Sequence, residues 1–234
     1  MQKSFPKKIF VFPILMLSIS FAHPALAAPA ASAGVTLWQL LVSGGVVMIF
    51  LGLLSVTAAA FIIYHFKYVK LNKLVPQDFV ENLIFLLEKK EFQKAVSVCK
   101  QQKNIVSAIA LKGLAAKPRG AAVAENAIQN EGKAQLERLW QNLNYLGDIA
   151  ALAPLLGLLG TILGMIDAFH YFKAGSVHPG VLTQGLAKAM VNTAMGLVIA
   201  VPSLAFYSYF RGKISRITSS AEAAASEMAQ LLAK

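Results

Sequence analysis

Thr161 and Thr193 each place a hydroxyl inside an apolar run long enough to cross a bilayer. A polar side chain at that depth must face protein, water or another polar group, so each is a candidate for supporting water, an ion or a partner's carboxylate. The residues around them share helical faces. Gly157, Thr161, Gly164 and Ala168 line one face of the first run. Gln184, Lys188 and Asn192 recur every fourth position in the second, with Gly196 and Ala200 continuing below Asn192. Gly157, Gly160, Gly164 and Gly196, with Pro154 and Pro202, are expected as helix-packing residues, since small side chains let two backbones approach closely. Joined, the two stripes predict a narrow passage lined by hydroxyl, amide and one cationic group. The alternative for either threonine is a bond back to a carbonyl of its own helix.

Three charged residues border these runs. Asp148 and Asp167 lie near opposite ends of the first, as proton acceptors or as solvated interfacial groups. Lys188 is the harder case, because a cation at mid-membrane costs about 3 kcal/mol. If its helix starts late, the ammonium snorkels to the outer interface. If the helix starts at Leu182 or before, Lys188 wants an anionic partner. This chain offers no obvious one, which implies a second protein.

The elements that must position these residues follow from composition and charge. Of 234 residues, 56% are apolar and 14% charged, well short of the quarter or so charged in soluble domains. The net charge of +11 is gathered in two segments, 67–145 and 211–234, which hold seventeen Lys and Arg. That asymmetry is what the positive-inside rule produces, and no basic stripe with interleaved aromatics points to nucleic acid. Cys99 is alone, the four histidines are scattered, and no HExxH, GxSxG or P-loop pattern occurs. No metal, cofactor or enzyme chemistry is expected.

Residues 1–27 read as a signal peptide, with Lys3, Lys7 and Lys8 before an apolar stretch and Ala25-Leu26-Ala27 at its end. The alternative is an uncleaved anchor. A short exterior segment, 28–36, precedes a first transmembrane helix over 37–66, followed at once by Lys67, Lys70 and Lys73. Residues 67–143 form a cytoplasmic helical domain in which Phe79, Leu83, Leu86 and Leu87 mark an amphipathic helix, and Phe92, Ala95, Val96 and Cys99 another. A third starts near Ala122 and carries Ile128, Leu136, Leu139 and Leu143. Transmembrane helix 2 covers 144–172 and contains Pro154, tolerable where neighbours satisfy the freed carbonyl. An exterior loop, 173–181, leads to transmembrane helix 3 over 182–210, which contains Pro202. Its stretch 189–210 has 22 uncharged residues, about 33 Å of helix. A cytoplasmic C-terminal helix, 211–234, completes an all-α membrane protein with three spans.

The segments APLLGLLGTILGMIDAF (153–169) and GLAKAMVNTAMGLVIAVPSLAFYSYF (185–210) resemble the two membrane segments of the MotA/TolQ/ExbB proton-channel family, and most of all its ExbB and TolQ branches. The likeness extends over most of the chain from the first span onward, including the stretch 86–99. It implies a stator subunit: a homopentameric ring, embedded in inner-membrane lipid, around a single-span partner of the ExbD/TolR type. Proton flow at the boundary between them drives work delivered to the envelope, in ExbB through a TonB-like protein that energises uptake across the outer membrane. A TolQ-like role in envelope integrity, or a non-conducting scaffold of the same shape, is the alternative. Thr161 and Thr193 match the family's two pore-facing threonines, while the proton-carrying aspartate belongs to the partner. Lys188 departs from the pattern, since many relatives carry glutamate there. It either pairs with the partner's carboxylate or sheds its proton because desolvation disfavours the charge.

Overall fold

The computed structural model describes residues 45–173 and 179–233, all within the second of two units, Gly44–Lys234. The expected signal peptide (1–27), the exterior segment (28–36), the start of the first span and the middle of the loop 173–181 lie outside the described residues.

The described residues are helical and hold no strand. Helix α1, Val46–Tyr68, is apolar on every side and has no polar stripe. Such a helix belongs in lipid or a large core. Its contacts make one face proteinaceous: Val47, Met48 and Leu51 pack on Ala153, Ile199 and Ala200. Val46, Ile49, Phe50, Leu53, Val56 and Ile63 are exposed.

Four short helices follow: α2 (Leu71–Leu74), α3 (Gln77–Glu88), α4 (Phe92–Gln101) and α5 (Ile105–Ala116). The apolar positions of α3 expected from its periodicity, Phe79, Leu83, Leu86 and Leu87, are all buried. Between α3 and α4 the chain turns on Lys90 at φ 57°. The Lys90 and Glu91 amides donate to the carbonyls of Leu87 and Leu86, the pairing that closes a helix through a left-handed residue. Asn104 caps α5: its side chain accepts from the Ser107 amide at 2.7 Å, and the Asn104 amide donates to the Ser107 hydroxyl at 3.1 Å. Such a reciprocal cap satisfies two amides that the first helical turn leaves unpaired.

Two long helices dominate the fold. After a 3₁₀ turn at Lys117–Arg119, α6 runs from Ala121 to Lys173 and α7 from Pro179 to Ala233. The helix expected to begin near Ala122 and the second span are therefore one element, without a break at residue 143. Likewise the third span continues into the C-terminal helix without a break at residue 210. At 1.5 Å per residue, α6 extends about 80 Å, so some 50 Å projects beyond a 30 Å hydrocarbon core. Neither Pro154 nor Pro202 ends its helix. Three helices, α1, α6 and α7, are long and apolar enough to cross a membrane. The main core lies where the projecting parts of α6 and α7 meet α3, α4 and α5, around Leu83, Ile109, Ile128, Leu143, Ile214, Ile217 and Met228.

Candidate functional site: the small-residue hairpin

In their apolar parts α6 and α7 run antiparallel in direct backbone contact. A methyl group added at Gly196 would lie 2.6 Å from the Ala153 carbonyl oxygen, and one at Gly157 would lie 2.9 Å from the Asn192 carbonyl oxygen. Further along, Gly160 faces the Asn192 side chain, Gly164 faces Ala189, and Gly185 faces Ala168. At Gly157, Gly160, Gly185 and Gly196 the approach is closer than a Cβ permits, and at Gly164 it is tight, 3.1 Å from the Ala189 side chain. Gly157, Gly160, Gly164 and Gly196 all lie in this seam, where dispersion between close backbones can replace the hydrophobic drive that lipid does not supply.

This geometry corrects one expectation. The two stripes do not enclose a passage within one copy, because their glycines bring the backbones together and close the gap. The threonines consequently play different parts. Thr193 is half-buried in the seam and donates its hydroxyl to the Gly157 carbonyl at 3.2 Å. Thr161 is half-buried and donates to the Leu158 carbonyl of its own helix at 2.6 Å, the back-bonding alternative. Its hydroxyl oxygen still has lone pairs to offer a ligand.

Asn192 is 2% exposed, locked against Gly160. Asp148 and Asp167 are exposed. Lys188 and Gln184 fall within α7, but their side chains lie outside the described residues. Pro154 and Pro202 sit half-buried, each without an amide to donate. Beside Pro202, the Ser203 hydroxyl donates to the Ile199 carbonyl at 2.7 Å.

Sequence reasoning passed over His65. It is 1% exposed, with its ring 5.1 Å from that of Phe210. Nδ1 lies 2.7 Å from the Phe61 carbonyl, which can only accept, so Nδ1 carries the proton. Nε2 is buried without a hydrogen-bond partner. The available signal was position, since His65 follows Phe61 by one helical turn in an otherwise uncharged span.

The family model for the MotA/TolQ/ExbB proton channel family matches residues 101–223. A biopolymer transport protein exbB1 of Vibrio cholerae is 54% identical over 59 residues, covering 24% of this chain and 26% of its own. The biopolymer transport protein ExbB of Aquifex aeolicus is 38% identical over 86 residues, 36% of this chain and 58% of its own. A putative biopolymer transport protein ExbB-like 3 of Synechocystis is 31% identical over 176 residues, 72% of this chain and 82% of its own. The chain thus spans about a quarter of the first relative and somewhat over half of the second. The matched region takes in α5, α6 and α7 as far as residue 223. On that ground this integral membrane protein belongs to the MotA/TolQ/ExbB proton channel family.

Proposed function

We propose that the chain is the ring-forming subunit of an ExbB-like, proton-driven stator in the inner membrane. Several copies, five by analogy with the family, surround a single-span partner of the ExbD/TolR type. Energy passes through a TonB-like protein to uptake across the outer membrane. The mature N-terminus is exterior and the C-terminus cytoplasmic, in keeping with the Lys and Arg that follow α1 and the apolar part of α7.

The observation that carries this reading is the closed seam. Since one copy has no gap between its two stripes, a conduit has to form outside the hairpin, between copies or against a partner. The outer faces are suited to that. Leu155, Leu158, Leu159, Ile162, Leu163 and Ile166 are exposed on α6, as are Leu197, Val198, Val201 and Leu204 on α7. Thr161 supplies a hydroxyl among these apolar side chains. The chain provides a rigid apolar wall with sparse polar points, and the proton-accepting carboxylate comes from the partner. Moving one charge through 100 mV releases about 2.3 kcal/mol, so several protons suffice for a sizeable rearrangement.

Reconstitution tests the proposal. The purified chain goes into liposomes holding a pH-sensitive dye, with and without a single-span protein of the ExbD/TolR type, under an imposed proton gradient. Flux is expected only with both proteins. Equal flux without the partner, or none with both assembled, would reject the stator reading, and the second result would leave a scaffold.

A further inference from the structure

We propose that a groove between the projecting stems of α6 and α7 receives a short cationic, amphipathic segment: the cytoplasmic flank of the single-span partner. The proposal rests on the stator reading above for the partner's identity, and on the groove itself for its chemistry.

The groove has a volume of about 860 Å³. Its accessible apolar members are the half-buried Trp140 of α6 and Ala225 of α7, with Ile128 and Leu136 buried in its lining. Its charged members are Glu125 and Glu137 of α6, Glu222 of α7 and a single cation, Lys133, a balance of −2 in a chain whose net charge is +11. None of the three glutamates forms an ion pair among the described residues, and all three are exposed. The Thr218 hydroxyl oxygen, also in the lining, is buried without a hydrogen-bond partner. An acidic rim over an apolar floor, with one unsatisfied polar atom, fits a segment that brings Lys or Arg, an aliphatic side chain and a backbone amide.

Charge and reach select the occupant. Single-span membrane proteins carry an excess of Lys and Arg on the cytoplasmic side of the span. Trp140 and Glu125 lie nine and 24 residues before Ile149, where the uncharged part of α6 begins, or about 14 and 36 Å along the helix. An extended flank of roughly four to eleven residues covers that distance. An anionic lipid headgroup meets the wrong sign of charge. Seating the flank here ties the partner's axial position to the stems that project from the membrane.

The test uses the full chain in phosphatidylcholine nanodiscs, with Trp38→Phe leaving Trp140 as the sole tryptophan. The probe is a short lysine–leucine peptide, compared with a lysine–serine peptide of equal charge. Binding of the first should shift Trp140 emission saturably and weaken with salt. The E125Q/E137Q/E222Q variant should bind at least about tenfold more weakly, as should the lysine–serine peptide. Unchanged affinity in the triple variant overturns the proposal. So does a silent Trp140 in the unmutated groove, whether a second copy or lipid covers it. No gradient and no partner enter this measurement. Peptide binding with failed proton flux therefore sinks the stator reading, and the partner's identity with it, but leaves a groove that takes a cationic amphipathic segment; flux without peptide binding sinks only the groove.

Discussion

Thr193 donates its hydroxyl to the carbonyl oxygen of Gly157 across 3.2 Å, joining two spans whose contact residues lie 36 positions apart. Gly157 makes that bond accessible, because a Cβ there would meet the Asn192 carbonyl oxygen and the Thr193 Cα and push the helices apart. At this height of the seam one small residue and one hydroxyl act together.

Thr193→Val keeps the shape of the side chain and removes the donor. It should destabilise the hairpin by about 0.5–1.5 kcal/mol, the range for a hydrogen bond between membrane helices. Thr161→Val loses only a bond within its own turn and should stay within about 0.5 kcal/mol. Thermal unfolding of the purified protein in detergent distinguishes them, and equal losses would contradict the division of roles.

Gly196→Ala places a methyl group 2.6 Å from a backbone oxygen that cannot rotate away. A destabilisation of about 1–3 kcal/mol is expected, the usual size for overpacking. Gly52→Ala on α1 has nothing within 4 Å and should be neutral or stabilising by up to about 1 kcal/mol. Oligomer yield on size exclusion and the thermal midpoint report both.

Lys188→Ala and Lys188→Met test whether the ammonium meets the partner's carboxylate. Proton-dependent flux should fall at least about tenfold while the assembly with the partner weakens, since an anionic group in lipid would lose its counter-charge. Full flux and assembly in both variants would leave Lys188 snorkelling at the outer interface.

The Cys99 thiol of α4 is buried in the main core, and burial pushes its pKa from 9.0 up to about 11. The thiolate is the reactive form, so at pH 8 only about one thiol in a thousand is ionised. Iodoacetamide should label the folded protein far more slowly than the unfolded chain, with the rate rising towards pH 11. A group raised in the folded state contributes stability that is complete below pH 9 and is lost as pH rises through about 11. Labelling at the rate of a free thiol at pH 8 would contradict this environment.

Much of the helical layout is legible in the order of residues. The uncharged run 189–210 forces a membrane helix because hydrocarbon leaves backbone groups no other partner. Phe79, Leu83, Leu86 and Leu87 announce the buried face of α3 because a 3.6-residue period has one face to hide. Glycines spaced by three and four within an apolar run announce a close helix contact in the same way. The joining of stem to span in α6 and α7 was less legible, since the change from polar to apolar composition at residues 143 and 210 looks like a boundary although the backbone hydrogen bonds run straight through it.

The sequence by itself determined that this is an all-α membrane protein, and that one stripe on each of two spans is built from small and polar residues. Local composition and helical period suffice for that, because the bilayer allows so few backbone solutions. Only the tertiary structure decided how the stripes are used: Gly157, Gly160 and Gly164 are consumed in closing the hairpin, Thr193 is spent across it, and Thr161 turns to its own helix. Those outcomes depend on the relative height and rotation of α6 and α7, fixed by contacts between residues 17 to 43 positions apart, which no periodicity within a single helix records. The acidic groove arises likewise, from Glu125 and Glu137 meeting Glu222 only once the two stems lie side by side.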